Sequence, residues 1–407
     1  MHFSIVDSIL QIKLNAIAVL FVASIMMLIG IKIKHYVTVL ERLCIPTPVV
    51  AGLPLAFICF VLKMSGVATI TMDTAYQAPF MLVFFATVGL GASFGILKQG
   101  GKDFVKYLLL GMVVATYQNF LAVGLAFATD ISPMHGIMMG AATMVGGHGG
   151  AAAFGAELDA MGYAGSTAVG MASATFGVVA GSLVGGPVAR KLINKYNLTS
   201  AETHAEPLPV AYAAREHKPL SIKTMFQILS CVFFAVTFGS MVCNFITRDL
   251  GIIFPSTVGA MIFGTAIRNL NDKYHFLDLD SERVDTLSDA CLNIFLTMSI
   301  MSLALDQLVA MAVPMMIILL SQVVALALFA YFVVFPALGR NYDAAAMCAG
   351  LLGHGLGATP NAVANIGALA ERYGPSRKAL LICSITGAFA LDLYQLPLDS
   401  LFISYFK

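Results

Sequence analysis

Two glycine-rich turns, each carrying one histidine, are the stretches of this sequence best equipped for chemistry. The first reads Gly146-Gly147-His148-Gly149-Gly150, and the second reads Gly353-His354-Gly355-Leu356-Gly357-Ala358-Thr359-Pro360. Exposed amides in such a turn, together with a half-helix N-terminus, attract an anion without any cationic side chain. No Lys or Arg falls inside any apolar run, so the backbone would have to do this work. A carboxylate would be held by the amides around Gly146, Gly147, Gly149, Gly355 and Gly357, assisted by Thr143, Thr359, Asn361 and Asn365. The competing explanation is close helix packing, which suits Gly181, Gly185 and Gly186 better.

His148 and His354 occupy equivalent places in the two turns. They could bind a metal, relay protons or hydrogen-bond a substrate. A neutral imidazole tying the turn together is the expected role. No third ligand accompanies them, so a transition metal is not expected. Asp392 is the only charged residue within its otherwise uncharged run, 379–398. Intramembrane charge is costly and normally has a partner and a task. It suits the ammonium of an amino acid, or Na⁺, a hard cation that prefers oxygen. The alternative is that Asp392 lies near enough to the end of its span to reach water. Gln118, Asn119, Gln322, Thr175, Ser384 and Thr386 are uncharged polar residues inside spans. They either line a path or bond helix to helix. Asn119, Thr175, Asn365, Ser384 and Asp392 are the candidate Na⁺ ligands.

The elements that must position these residues are membrane helices. Hydrophobic residues make up 59% of 407 positions and charged residues only 11%, against about a quarter charged in soluble domains. The net charge of +1 argues against a nucleic-acid partner. The seven cysteines are scattered singly and read as small core hydrophobes. Residues 14–31 read as a first span rather than a signal peptide. Charge-free stretches follow at 43–62, 74–97, 107–129, 131–156, 160–189, 224–247, 250–267, 290–305, 307–339 and 344–370, with 379–398 last. A span needs about 20 apolar residues. The glycine density of 131–156 and 344–370 disfavours continuous helices there. If both are re-entrant and the N-terminus is outside, all of the 23 Lys and Arg except Lys13, Lys63, Arg248 and Lys407 fall inside. The positive-inside rule therefore favours ten spans plus two hairpins, with both termini periplasmic.

The halves also repeat. Pro46-Thr47-Pro48-Val49 corresponds to Pro255-Ser256-Thr257-Val258, Gln118 to Gln322, and Gly147-His148-Gly149 to Gly353-His354-Gly355. Each half has an odd number of spans, so the second lies inverted. The expected fold is an all-α polytopic membrane protein of two inverted-topology repeats, each with five transmembrane helices and one re-entrant helical hairpin. Residues 1–190 form the first repeat with its hairpin near 134–156. A cytoplasmic linker covers 191–222, and residues 223–407 form the second repeat with its hairpin near 343–367. Inverted repeats with interruptions at matching places are a signature of secondary transporters.

Several stretches resemble one family. Ala142-Thr143-Met144-Val145-Gly146-Gly147-His148-Gly149, Gly339-Arg340-Asn341-Tyr342-Asp343 and Gly353-His354-Gly355-Leu356-Gly357-Ala358-Thr359-Pro360 look like the bacterial sodium/glutamate symporters. So do Phe84-Phe85-Ala86-Thr87-Val88-Gly89-Leu90 and Glu371-Arg372-Tyr373-Gly374-Pro375. The resemblance spans nearly the whole chain. It implies Na⁺-coupled uptake of L-glutamate across the inner membrane, a homodimer within membrane lipid, and an elevator-like movement of a core against a scaffold. Gly146 to Gly149, Gly353 to Thr359 and Asp392 carry the family motifs. The alternatives are a Na⁺ symporter for a hydroxy-di- or tricarboxylate such as citrate or malate and, in another class, an intramembrane metalloenzyme. If Asp392 faces the ammonium, Asp392→Asn abolishes amino-acid uptake by reconstituted protein; full activity in that variant refutes the assignment.

Overall fold

Hydrocarbon offers no hydrogen-bond partners, so a chain crossing it must satisfy its backbone internally, which helices do. The computed structural model describes residues 2–6, 9–42, 45–95, 101–200, 222–250, 254–303, 305, 308 and 311–407. Its apolar runs are helical. The first part of the chain forms α1 (Ala16–Tyr36), α2 (Thr47–Met64), α3 (Gln77–Gly91) and α4 (Gly101–Ala128). Three short helices follow, α5 (Pro133–Ile137), α6 (Ala141–Met144) and α7 (Gly147–Ala160), and then the long α8 (Ser166–Tyr196). The second part forms α9 (Ile222–Leu250), α10 (Ser256–Tyr274), α11 (Ser281–Met301) and α12 (Ala312–Phe329). The last four are α13 (Tyr342–His354), α14 (Thr359–Tyr373), α15 (Arg377–Ile385) and α16 (Asp392–Phe406). A π-helical turn, Thr386–Ala390, joins α15 to α16, and a second, Ala330–Val334, extends α12.

Among the described residues, seven helices are long and apolar enough to cross a membrane: α1, α2, α4, α8, α9, α11 and α12 with its extension. Three further expected spans fall on less continuous elements. Helix α3 has only 15 residues, α10 ends in the polar run Arg268–Tyr274, and α15 and α16 are separated by the π turn. Helix α11 begins at Ser281 rather than near 290, because its first turns carry Glu282, Arg283 and Asp285. A helix continues through charged residues once it leaves the apolar zone, so charge-free stretches understate its length. Of the expected linker, 191–196 belongs to α8, and 201–221 lies outside the described residues.

One element was not expected. Strands β1 (His2–Val6), β2 (Ile9–Leu14) and β3 (Ala68–Met72) form a small sheet. β1 pairs antiparallel with β2, and β2 pairs parallel with β3 in the register Leu10↔Ala68 to Leu14↔Met72. The β-branched residues of Ala68-Thr69-Ile70-Thr71-Met72 are the sequence signal for it.

The helices pack as two groups. In one, α9 lies on α10, α10 and α11 on α3, and α1 and α11 on α2. Gly239 of α9 meets Gly259 of α10 so closely that a Cβ on Gly239 would stand 2.6 Å from the Gly259 carbonyl oxygen. Small residues let backbones approach where hydrocarbon supplies no hydrophobic drive. The C-terminal end of α3 is fastened to α10, where Asn269 donates to the Ala92 carbonyl at 2.8 Å and accepts from the Phe94 N–H at 2.7 Å.

In the other group, α8 is the central post, touching α7, α12, α13 and α14. Gly177, Gly181 and Gly185 run along one face of α8. A Cβ at Gly181 would stand 2.9 Å from the Leu352 carbonyl oxygen, and one at Gly185 would stand 3.0 Å from that of Ala349. Gly186 faces open space instead. Two segments in this group start and finish at neighbouring points. His135 Nε2 lies 3.1 Å from the Ala164 carbonyl oxygen, linking the start of α5 to the end of the α7 turn. Tyr342 donates to the Gly374 carbonyl at 2.5 Å, and Ser376 donates to Asp343 at 2.7 Å, linking the ends of the α13–α14 segment.

Candidate functional site

In the group around the long helix α8, two helices begin in the interior with no side chain capping them. Gly146 precedes α7, and no side-chain hydrogen bond caps its first turn. Gly147 takes φ = 56°, a left-handed conformation that glycine adopts without strain. Ala358 precedes α14 in extended geometry, again without a side-chain cap, and Pro360 occupies the first turn. A proline there lacks only an N–H that the helix would leave unpaired anyway. The α7 end presents the amides of Gly147–Gly149, and the α14 end that of Thr359, since Pro360 has no N–H and Asn361 donates to the Ala358 carbonyl at 3.1 Å; each end also carries the positive end of its helix dipole.

Both ends open onto one cavity of about 560 Å³. One wall is built from Val145–Gly150, Gly357–Pro360, Gly387, Asp392, Gln395 and Leu396, all from the group around α8. The facing wall comes from the other group: Lys34 of α1, Pro46–Pro48 at the start of α2, Phe84, Phe85 and Val88 of α3, and Asp289, Leu292, Asn293 and Leu296 of α11. The cavity therefore lies at the seam between the two groups. Asp392 is half-buried in the wall, and among the described residues no hydrogen bond or ion pair reaches it.

The two tips cross beside the cavity. A Cβ on Gly147 would lie 2.7 Å from the Gly357 carbonyl oxygen, and one on Gly357 would lie 2.6 Å from Val178 Cα. Buried amides hold the tips from behind. Gln118 donates to the Gly355 carbonyl at 2.8 Å, and Gln322 donates to the Gln118 carbonyl at 2.8 Å. Asn119 accepts from the Ala141 N–H at 2.8 Å, which caps α6, and donates to Asp399 at 2.6 Å. Asn361 donates to the Val178 carbonyl at 2.7 Å, and Asn365 donates to those of Gly181 and Ala349 at 3.0 and 3.1 Å.

The structure thus divides the residues expected to act at the site. Gly146, Gly147, His148, Gly149, Gly357, Thr359 and Asp392 line the cavity. Thr143 donates to the Met138 carbonyl at 2.9 Å and, with Gly355, Asn361, Asn365 and Asn119, lies behind the wall. Ser384 is half-buried and off the cavity. The imidazoles are tied to hydroxyls rather than to backbone. His148 Nε2 lies 3.0 Å from Thr175 Oγ1, and His354 Nε2 lies 2.8 Å from Tyr107 Oη. Thr359 Oγ1 donates to the Gly387 carbonyl at 2.5 Å, joining the second tip to the π turn. Such π turns often mark functional sites.

Five residues escaped sequence reasoning: Lys34, Asp289, Asn293, Gln395 and Asp399. The first three lie on the facing wall, where no local signal marks them. Gln395 and Asp399 were readable, because Asp392, Gln395 and Asp399 are spaced three and four apart and share one helix face. In the sequence, Asp399 marks only the end of a charge-free stretch.

Apolar helices long enough to cross a membrane, around a seam cavity lined by two uncapped helix ends, Lys34, Asp289 and Asp392, are the architecture of a multi-pass membrane protein with an internal polar site. Comparison with known proteins makes this specific. The sodium/glutamate symporter family model matches residues 12–375. A sodium/glutamate symporter of Escherichia coli (strain K12) is 34% identical over 392 residues, 96% of this chain and 98% of that relative. Its Shigella flexneri counterpart matches to the same extent. A sodium/glutamate symporter of Haemophilus influenzae is 33% identical over 384 residues, 93% of this chain and 95% of that relative. The chain belongs to the sodium/glutamate symporter family. A family of symporters leaves no place for the metalloenzyme alternative.

The tip crossing depends on Gly147. A left-handed alanine costs about 1–2 kcal/mol, and its Cβ would press on the Gly357 carbonyl. Gly147→Ala is expected to lower transport at least about tenfold, since about 1.4 kcal/mol corresponds to a factor of ten. Gly186→Ala, whose Cβ meets nothing within 4 Å, leaves transport unchanged. Equal rates in the two variants, measured at matched protein amounts, would contradict this.

Proposed function

We propose that the protein imports L-glutamate with Na⁺ across the bacterial inner membrane. The observation that carries the reading is the meeting, on the wall built by the group around α8, of two uncapped helix N-termini and one unpaired carboxylate, Asp392. Glutamate carries two carboxylates and one ammonium. Each carboxylate is received by one helix end, at the amides of Gly147–Gly149 on α7 and at the Thr359 amide on α14, and the ammonium is received by Asp392. Binding an anion through backbone dipoles avoids burying a lysine or arginine that would need compensation in the empty protein. A hydroxy-di- or tricarboxylate would leave Asp392 facing no ammonium, so the amino acid is the better match.

The finer architecture belongs to the same proposal. The α5–α7 and α13–α14 segments act as two re-entrant hairpins, supported by the bonds that bring each segment's ends together. Residues 1–190 and 223–407 act as inverted repeats. Pro46 before α2 and Pro255 before α10 stand at corresponding helix starts, which supports this. Both termini are periplasmic, by the distribution of Lys and Arg. The group around α8 moves as the core, carrying solute across a scaffold of α1–α3 and α9–α11. The cavity at the seam supports this division, because sliding there breaks little packing. The exposed apolar faces of α1 and α9 suit lipid and the second copy of a homodimer.

Purified protein in liposomes is expected to accumulate labelled L-glutamate under an inward Na⁺ gradient and not under a K⁺ gradient. Unlabelled L-glutamate competes, while citrate and malate do not. Uptake that ignores Na⁺, or that citrate or malate blocks instead of glutamate, would overturn the proposal.

A further inference from the structure

One buried charge is left unused by the cavity. Asp399 is 0% exposed, and among the described residues no cation pairs with it. Its Oδ1 accepts from Asn119 at 2.6 Å, and its Oδ2 accepts from the Gln395 amide nitrogen. Two neutral donors only partly offset a carboxylate removed from water, and buried charges ordinarily have a counter-charge. Gln395 is also 0% exposed, and with its nitrogen committed to Asp399 its Oε1 has no hydrogen-bond partner. That oxygen lies against the first tip, since a Cβ on Gly146 would stand 2.9 Å from it. Gln395 lines the cavity together with Asp392, whereas Asp399 lies one layer deeper. The three residues make a stripe of oxygen donors leading from the cavity into the protein.

We infer that Asp399 and the Gln395 carbonyl oxygen form a Na⁺ site directly behind the solute cavity, reached past Asp392. The inference rests on the Na⁺-coupled reading above and names the residues that couple. The donor set fits a hard monovalent cation, being all oxygen with a single formal charge. The position explains how the ion acts on the solute. Asn119 bonds both Asp399 and the Ala141 N–H, so the carboxylate supports the start of α6. Gln395 abuts Gly146, so the same site supports the break from which α7 begins. A cation there fixes both ends of α6 and holds the α7 amides toward the cavity. Solute and ion then favour the same arrangement, which makes their affinities reciprocal.

The test is equilibrium binding of radioactive Na⁺ to full-length protein in lipid nanodiscs, comparing wild type, Asp399→Asn and Gln395→Leu. Asp399→Asn is expected to lose one Na⁺ per chain or to hold it at least about tenfold more weakly. Gln395→Leu weakens the same ion. In uptake assays on Asp399→Asn, half-saturating Na⁺ rises by the same factor, while half-saturating glutamate at saturating Na⁺ moves far less. A merely loosened fold would not separate the two. Unchanged Na⁺ number and affinity in folded Asp399→Asn overturns the site. If that variant does not fold, judged by gel filtration and thermal melting, the same result in Gln395→Leu overturns it. These results, alongside Na⁺-dependent uptake by wild type, remove the site alone. Wild-type uptake without any Na⁺ requirement removes the reading it rests on as well.

Discussion

A helix that begins inside an apolar protein with no side chain to cap it carries unpaired N–H groups and a concentrated partial positive charge. That arrangement is unfavourable unless something negative completes it. Here it occurs twice within the group around α8, at Gly147 and at Thr359, on the same cavity. Much of the surrounding structure can be understood as the means of keeping those ends bare and aimed. Gln118, Gln322, Asn119, Asn361 and Asn365 anchor the tips by donating to backbone carbonyls and to Asp399, and among the described residues none of their oxygens accepts from an amide of either helix end. Thr175 and Tyr107 engage the two histidines, which fixes each imidazole without turning it into a cap. The network is buried, so its bonds hold position firmly and leave little slack.

The second consequence concerns where the cavity lies. Its walls come from two helix groups, each well packed within itself by glycine-mediated contacts: Gly239 with Gly259 in one, and the Gly181–Gly185 face of α8 in the other. The two tips, Asp392 and Asp399 all belong to the group around α8. The facing wall supplies Phe84, Phe85, the prolines before α2 and the polar edge of α11. On the proposed mechanism this asymmetry is what transport needs. One group carries the complete set of ligands, so binding survives its displacement, while the other offers a mostly apolar surface to slide along.

Much of this was legible in the sequence because membrane physics writes in large letters. The absence of charge over long stretches marks the helices, and glycine with proline inside two of them marks the breaks. A lone carboxylate in an apolar run marks Asp392. What escaped did so for identifiable reasons. Helix α11 runs past its apolar zone into charged turns, so counting charge-free residues misplaced its start. The facing wall is assembled from α1, α2, α3 and α11, which are distant in the chain, and nothing local distinguishes Asn293 or Lys34. Asn119, Asn361 and Asn365 have the chemistry of ligands, and only the fold reveals that their donors are already committed. Asp399 was hidden by its position at the edge of a stretch, although its helical spacing from Asp392 and Gln395 was visible. The sheet of β1–β3 was overlooked because its short strands flank much stronger helical signals.

The most direct measurement of the central claim is a cryo-electron microscopy structure with L-glutamate and Na⁺ bound. The account predicts glutamate in the seam cavity, one carboxylate at the N-terminus of α7, the other at that of α14, and the ammonium against Asp392. Glutamate bound elsewhere, or held by Lys34 with both helix ends left bare, would contradict it.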